Sequence, residues 1–530
     1  MSPTAASPWS PFGQRVFAVI WTATLISNIG GWMYAAAAGW LMTSLDSSPL
    51  VVSLVQVAAT LPIFLFAMPA GALTDSLDKR RFLLWGEGFI AVTSALMAGL
   101  VWLDLVTAPR LLVLAFLVSA GDALTAPPWQ AVVPLLVPPA ELRPAVAANS
   151  VGFNISRALG PALGGALVGP FGIAAPFIVN AVSNFGVIGA LVWWRAPRHS
   201  SSGLPPERLW SAMRTGLRYA RFSPPLRDTL IRAAGFFLFA SAYWALLPLV
   251  ARSQLAGGPT LYGILLGGIG ASAVAGAFAL PWLNTRLGPD RLAVAGALGT
   301  AAATALFGLA HGAATALLAS AIAGVSWIGG LSSLNVSALV ALPEWVRGRG
   351  SALYVTVMFG ALSLGSLIWG QVASSFGLAP ALFAAAGGGA IAAWAQRRWK
   401  LQAGADLDLS PAMHWAPALT SGDFDPNRGP VLVTVKYHID PKQREPFLKA
   451  LKDFGRERRR DGAYRWQVYE DPAKQGRFVE TFLSDSWLDH LRHHERVTQA
   501  DRALQQEVLR FHIGDPPETT HFVAAHSRQQ

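Results

Sequence analysis

Residues 71–81 read Gly71-Ala-Leu-Thr-Asp75-Ser-Leu-Asp78-Lys79-Arg80-Arg81. Three consecutive cations stand between two apolar runs, 50–73 and 82–103. A bilayer crossing takes about 20 apolar residues, so each run is long enough to span. A cation cluster between two spans marks a turn on the cytoplasmic face. Working outward, runs of the same kind recur at 16–40, 50–73, 82–103, 111–135, 144–168, 172–194, 229–251, 260–283, 292–311, 313–338, 351–373 and 378–398. The first is too long for the apolar region of a cleavable signal, and none is expected. The expected fold is an all-α polytopic membrane protein with twelve transmembrane helices.

Composition agrees. Of 530 residues, 53% are hydrophobic and 13% charged, against roughly 25% charged in an average soluble domain. That excludes an ordinary soluble enzyme as the whole chain and excludes a disordered one. The net charge is +11. It lies in alternate loops: fifteen Lys and Arg follow the even-numbered spans, Lys79, Arg80, Arg81, Arg143, Arg214, Arg347 and Arg349 among them, against Arg110 and Arg252 in the odd ones. Both termini are therefore expected in the cytoplasm. No recognition motif accompanies the charge, so no nucleic-acid partner is expected. There is no cysteine, which excludes disulfides, thiolate metal sites and cysteine catalysis.

The charges are also uneven along the chain: 32 of the 71 fall in the last 100 residues. The expected organisation is an N-terminal six-helix half at 1–194, a cytoplasmic central loop at 195–228, a C-terminal six-helix half at 229–400, a Pro-, Ser- and Asp-rich linker at 401–430 and a soluble α+β domain at 431–525. The halves echo each other. Asp78-Lys79-Arg80 is answered by Asp290-Arg291, and Glu141-Leu-Arg143 by Glu344-Trp-Val-Arg347. Two parallel six-helix repeats place a substrate site between the halves at the bilayer midplane, with access alternating as one half rocks against the other.

The stretch 71–81 resembles motif A of the major facilitator superfamily. The resemblance implies that Gly71 and Asp75, with Lys79, Arg80 and Arg81, form a gating loop: Asp75 pairing at a neighbouring helix end and the cations anchoring the loop at the membrane face. Asp78 stands where the family has a second glycine. In the fifth span, Gly160-Pro161-Ala-Leu-Gly164-Gly165 resembles motif C of the drug-export branches. Pro161 removes a helix hydrogen bond and bends the helix, and Gly160, Gly164 and Gly165 let a neighbouring backbone approach. The whole membrane part resembles the enterobactin-exporter-like, transmembrane secretion effector branch. Where such sequences often carry an acid after Ser27-Asn28-Ile29-Gly30, this chain has Gly31. The resemblance implies a secondary active exporter in the bacterial cytoplasmic (inner) membrane, a proton-coupled antiporter of a small amphipathic compound such as a siderophore, drug or secondary metabolite. Gly160-Pro161 argues against uptake.

Two charges fall deep in the membrane. Asp122 lies about 18 Å into the fourth span and Arg157 about 21 Å into the fifth, running the other way, at ~1.5 Å per residue. A lone charge at that depth calls for a partner or a water-filled cavity. Equal depth on adjacent helices makes the two a candidate pair, read either as a proton-coupling switch or as a permanent structural ion pair. Glu87, about 8 Å into the third span, is a further candidate coupling carboxylate. The polar and aromatic residues expected to line the cavity are Asn28, Trp32, Gln56, Asn154, Tyr243, Trp244, Trp327, Asn335 and Tyr354.

The tail alternates at 431–439 as a strand, continues as a helix at 443–459, strands at 464–469 and 477–482, a long helix at 485–509, and short strands at 511–513 and 520–523. That order is ferredoxin-like. Ser486-Trp-Leu-Asp-His490-Leu-Arg-His493-His494-Glu495-Arg496-Val-Thr498 resembles the dimeric α+β barrel of antibiotic-biosynthesis monooxygenases and their non-catalytic relatives. The resemblance implies dimerisation or a regulatory role; enzyme activity would rest on fold analogy alone. His490 and His494 share a helical face, but no third ligand completes a familiar set, so neither a metal nor a cofactor is expected. An exporter is the first reading. A fused transporter-enzyme whose tail modifies or senses the substrate is the second.

Overall fold

The computed structural model describes residues 9–195, 209–402 and 428–525, with Ser7, 408–410, Ala412 and Asp425 besides. The helices in chain order are α1 (Arg15–Leu45), α2 (Pro49–Ser76), α3 (Lys79–Trp102), α4 (Ala108–Leu136), α5 (Leu142–Phe171), α6 (Ala175–Trp193), α7 (Leu209–Phe222), α8 (Pro224–Leu249), α9 (Pro259–Gly308), α10 (Ala313–Val340), α11 (Arg347–Phe376) and α12 (Leu378–Ala395). Among the described residues ten helices are long and apolar enough to cross a membrane: α1 to α4, α6 and α8 to α12. The 50-residue α9 holds both runs expected at 260–283 and 292–311. It bends between them at Gly288, whose φ of +74° is open to glycine at no steric cost, beside Pro289. The 30-residue α5 is not one of the ten; it carries Asn149, Ser150, Asn154, Ser156 and Arg157.

The chain forms two compact units. The first contains residues 1–209, 230–335 and 352–401. In it α5 packs on α1 and α9, α2 on α4, α3 on α6, and α12 on α9. Its apolar residues do not all turn inward: Trp85, Val92, Val182 and Phe278 are exposed. A surface that apolar is what a bilayer would cover.

The second unit contains residues 210–229, 336–351 and 402–530, so it takes in part of the expected central loop and the turn before α11. Residues 196–208 of that loop, and most of the expected linker, lie outside the described residues. Strands β1 (Val431–His438), β2 (Tyr464–Glu470), β3 (Arg477–Ser484) and β4 (Glu518–Val523) form an antiparallel sheet of order β2-β3-β1-β4. Helices α13 (Arg444–Asp461), α14 (Trp487–Arg496) and α15 (Gln499–Leu509) complete it. The single helix expected at 485–509 is two. Val497 is extended, and Thr498 opens α15 with a capping box to Asp501, which ends one helix and starts the next. The strand expected at 511–513 is an isolated bridge from Ile439 to His512.

Val431, Val433, Val435 and Tyr437 alternate toward the helices and meet Phe447, Leu451, Phe454, Phe478 and Phe482. At the centre of this core lies Glu480, fully buried. It accepts from the Tyr437 hydroxyl at 3.0 Å and the Trp466 indole at 2.8 Å, and faces Arg458 at 3.6 Å. A second buried set joins Arg460 to Asp461 and Asp501 at 2.8 and 2.7 Å. Arg460 also lies 5.4 Å from the ring of Tyr219 on α7, whose hydroxyl donates to Ala341 O at 2.9 Å. Those contacts tie α7 and the 336–351 turn into the unit. Removing one member of a buried ion pair leaves the other charge uncompensated, at about 3–5 kcal/mol. Glu480→Ala is expected to open residues 431–525 of the full-length protein to limited proteolysis while the membrane part stays intact; unchanged protease resistance would remove Glu480 as the anchor of this core.

Candidate functional site

The basic cluster at 79–81 begins α3. Asp78 is its N-cap, accepting from Arg81 N at 2.8 Å, which gives a physical reason for the acid where the resemblance expects glycine. Arg80 donates to Leu191 O and Val192 O, both at 2.8 Å. It thereby satisfies two of the carbonyls that a helix leaves open at its end and places a cation at the negative pole of α6. Gly71 and Asp75 lie in the last turns of α2, and the Asp75 side chain is outside the described residues. In the second half Asp290 pairs instead with the buried Arg232 of α8, which also donates to Trp399 O at 3.1 Å.

Motif C is an interlock of backbones. A methyl group on Gly165 would come within 2.6 Å of Pro259 O and 3.0 Å of Gly263 Cα. A methyl on Gly263 would meet Pro161 O at 2.6 Å and Gly165 Cα at 3.0 Å. One turn on, Gly267 faces Ala162 and Gly270 faces Ala158, while Gly160 and Gly164 seat α1 at Trp32 and Met33. The partner stripe on α9, Gly263-x-x-x-Gly267, carries the small-residue spacing of a close-packing motif.

The charges expected to pair do not meet. Among the described residues Asp122 and Arg157 form no ion pair. Asp122 is accessible and lies within electrostatic reach of Tyr34 on α1 and Glu87 on α3. Glu87 is buried and accepts from the Trp129 indole at 2.8 Å. Arg157 turns toward α8 and α10, its guanidinium 5.8 Å from the Trp244 ring and 5.7 Å from that of Trp327.

Around Arg157 the expected cavity residues converge in part. Tyr243 and Trp244 lie 5.4 Å apart, and Trp244 and Trp327 also 5.4 Å, with Phe236, Phe237 and Phe307 behind them. These groups are rich in donors and short of acceptors. Nε and Nη2 of Arg157 and the Trp327 indole N–H are buried without a hydrogen-bond partner, and the Tyr243 hydroxyl and Trp244 indole find none beyond each other. Tyr354 is buried with its hydroxyl likewise unpartnered. Trp32 stands 6.2 Å edge-on to Phe153, and Asn154 donates to Ser150 O at 2.8 Å within its own helix. Asn28, Gln56 and Asn335 are half-buried, and no side-chain hydrogen bond joins them to this group. Tyr34, Trp129 and Arg232 were not singled out from sequence. Trp129 and Arg232 are packed against charges that hydropathy alone places by depth, not by direction.

Comparison with known proteins follows the same line. Residues 6–530 match the family described as transmembrane secretion effector. An uncharacterized MFS-type transporter of Bacillus subtilis is 27% identical over 59% of this chain and 73% of its own length. The staphyloferrin A transporter of Staphylococcus aureus is 22% identical over 48% of this chain and 65% of its own. Among solved structures, a bacterial homolog to the human lysosomal transporter Spinster, in an inward-facing and unoccupied conformation, superposes with a TM-score of 0.55 at 16% identity, over 73% of this chain and 95% of that one.

The interlock generates a test. Gly165→Leu and Gly263→Leu should each force the two backbones apart at a cost of about 1–3 kcal/mol and lower the unfolding midpoint of the purified protein. Gly169→Ala, with nothing within 4 Å of the added methyl, should leave it unchanged. Equal midpoints for all three would mean that α5 and α9 do not touch here.

Proposed function

From the premise that the chain belongs to the transmembrane secretion effector family and is a multi-pass secondary transporter of the major facilitator type, we propose that it is an exporter working by alternating access in the bacterial inner membrane. We take its crossings as twelve, the ten long apolar helices with α5 and the second arm of α9 added, and both termini as cytoplasmic. The observation that carries the reading is the reciprocal contact of Gly165 and Gly263. It joins the first repeat to the second at the motif C end of α5, a seal between halves that rocking would have to break and remake.

The substrate route passes Arg157. A guanidinium with two unpartnered nitrogens, flanked by aromatic faces and indole N–H donors, suits a small amphipathic molecule carrying an acidic group. Siderophores, acidic drugs and secondary metabolites fit that description. Asp122, accessible and on the opposite side of the bundle, is the candidate proton carrier, with Glu87 behind it. Proton movement and substrate movement then use separate groups, coupled through the helices between them rather than through a shared ion pair. The second unit has the strand order of a ferredoxin-like fold. Its outer sheet face, with Leu432 half-buried and Phe522 exposed, is suited to dimerisation or to sensing the substrate.

Efflux into everted membrane vesicles, with and without an uncoupler, tests this. Asp122→Asn is expected to reduce uncoupler-sensitive transport at least tenfold at normal expression, and unchanged transport would remove Asp122 as the carrier. Arg157→Gln is expected to discriminate against acidic substrates over neutral analogues. Equal loss for both would assign Arg157 to packing instead.

A further inference from the structure

The second unit holds a histidine cluster that no part of the transport reading uses. His490 and His494 lie one turn apart on α14, and the sequence offered them no third ligand. The sheet supplies one. His521 stands on β4, opposite Val433 of β1, and its ring lies 4.7 Å from that of His490. The His490 and His494 rings are also 4.7 Å apart, with Nε2 to Nε2 at 3.2 Å. One ring nitrogen from each of the three falls within 4.8 Å of the other two.

We propose that His490, His494 and His521 bind one divalent transition-metal ion of the zinc, cobalt, nickel and copper group, with a further coordination position left for water or an anionic donor. The geometry fits. A tetrahedral ion with metal–nitrogen bonds of about 2.0–2.1 Å sets its ligand atoms about 3.4 Å apart. His490 and His494 already stand near that spacing, and His521, only half-buried, lies within 4.8 Å of both, in reach of a side-chain rotation.

The donor set selects the ion. Three imidazoles without carboxylate or thiolate favour nitrogen-seeking borderline ions over magnesium or calcium. The ligands are already in the form a metal needs. Burial and the neighbouring rings push His490 down to about 3 and His494 to about 4, and burial lowers His521. These directions favour the neutral imidazole, the form that ligates a metal. The cation nearest the cluster, Arg458, is turned to Glu480. Trp487 closes the site from one side, its ring 5.4 Å from His490 and 5.8 Å from His521. The His490 Nδ1 is buried with no partner. A bound ion would tie the C-terminal edge strand to α14, two elements that the sheet itself does not join.

The test is a cobalt(II) titration of the full-length detergent-purified protein, carried on a tag without histidine. The expected result is one ion per chain with the intense visible bands of four- or five-coordinate cobalt, bleached by zinc. His521→Gln and His494→Gln should each weaken binding at least 100-fold, and His311→Gln, on an exposed residue of the other unit, should not. Zinc should also raise the unfolding midpoint of the parent protein and not of the two variants. Only the weak bands of octahedral cobalt on the parent protein would overturn the proposal without any variant, leaving a packed imidazole cluster. Full-strength bands in both variants would overturn it equally.

Discussion

Two helix backbones touch at Gly165 and Gly263, with no side chain between them, and much of the membrane unit follows from that contact. A stripe of small residues runs down both helices because a single Cβ would separate them. The same contact fixes Arg157. Its carbonyl oxygen lies 2.9 Å from where a methyl on Gly270 would be, so its backbone is pinned against α9. With the backbone held there, the guanidinium reaches the rings of Trp244 and Trp327 on α8 and α10. The glycine interlock and the buried cation are therefore linked: the packing of α5 on α9 also aims the charge.

A guanidinium in that position gains little stability from its neighbours. Two contacts with indole faces contribute about 0.5–2 kcal/mol each, while an unpaired charge inside a membrane protein costs several times that. Nor does a carboxylate answer it: Asp122 and Glu87 look toward α1 and α4 instead. The proposed substrate route gives such a group a use that packing alone does not. That the two signs of charge face opposite sides of α4 and α5 also bears on coupling. A shared ion pair would exchange substrate for proton at one point. Separated groups need the helices themselves to have two arrangements, which close-packed cores supply more readily than continuous bending does.

Much of this was legible before the structure. Hydropathy marked the long apolar helices, ten of which are long and apolar enough to cross a membrane among the described residues, and spacing set Asp122 and Arg157 on adjacent helices of the sequence. Depth is a count of residues along one helix; direction depends on how each helix is rotated by its neighbours, and a single sequence carries little of that. So the two charges were read as a pair, and among the described residues they form no ion pair. Asp78 shows the reverse case. It looked like a departure from a motif, and the N-terminus of α3 gives it a local purpose. The break at Val497 was readable too, since Thr498-x-x-Asp501 is a capping signal inside what looked like one long helix. The grouping of α7 and 336–351 with the tail was not, because it rests on contacts such as Tyr219 to Ala341, 122 residues apart.

The second unit sets two polar clusters side by side, and the contrast between them is informative. Glu480 is surrounded: a phenol, an indole and a guanidinium answer its oxygens. Such a group is closed, and burial costs it little. The imidazoles of His490, His494 and His521 are gathered against one another. Neutral rings in mutual contact gain little from that arrangement beyond packing that leucine or phenylalanine would provide better. The sheet register brings His521 to α14 from 27 residues away in the chain, so proximity in sequence does not explain the gathering. A small core that satisfies a carboxylate three times over builds closed polar groups; three imidazoles brought within ligand distance of one another from a helix and an edge strand instead match the donor set of a borderline metal ion.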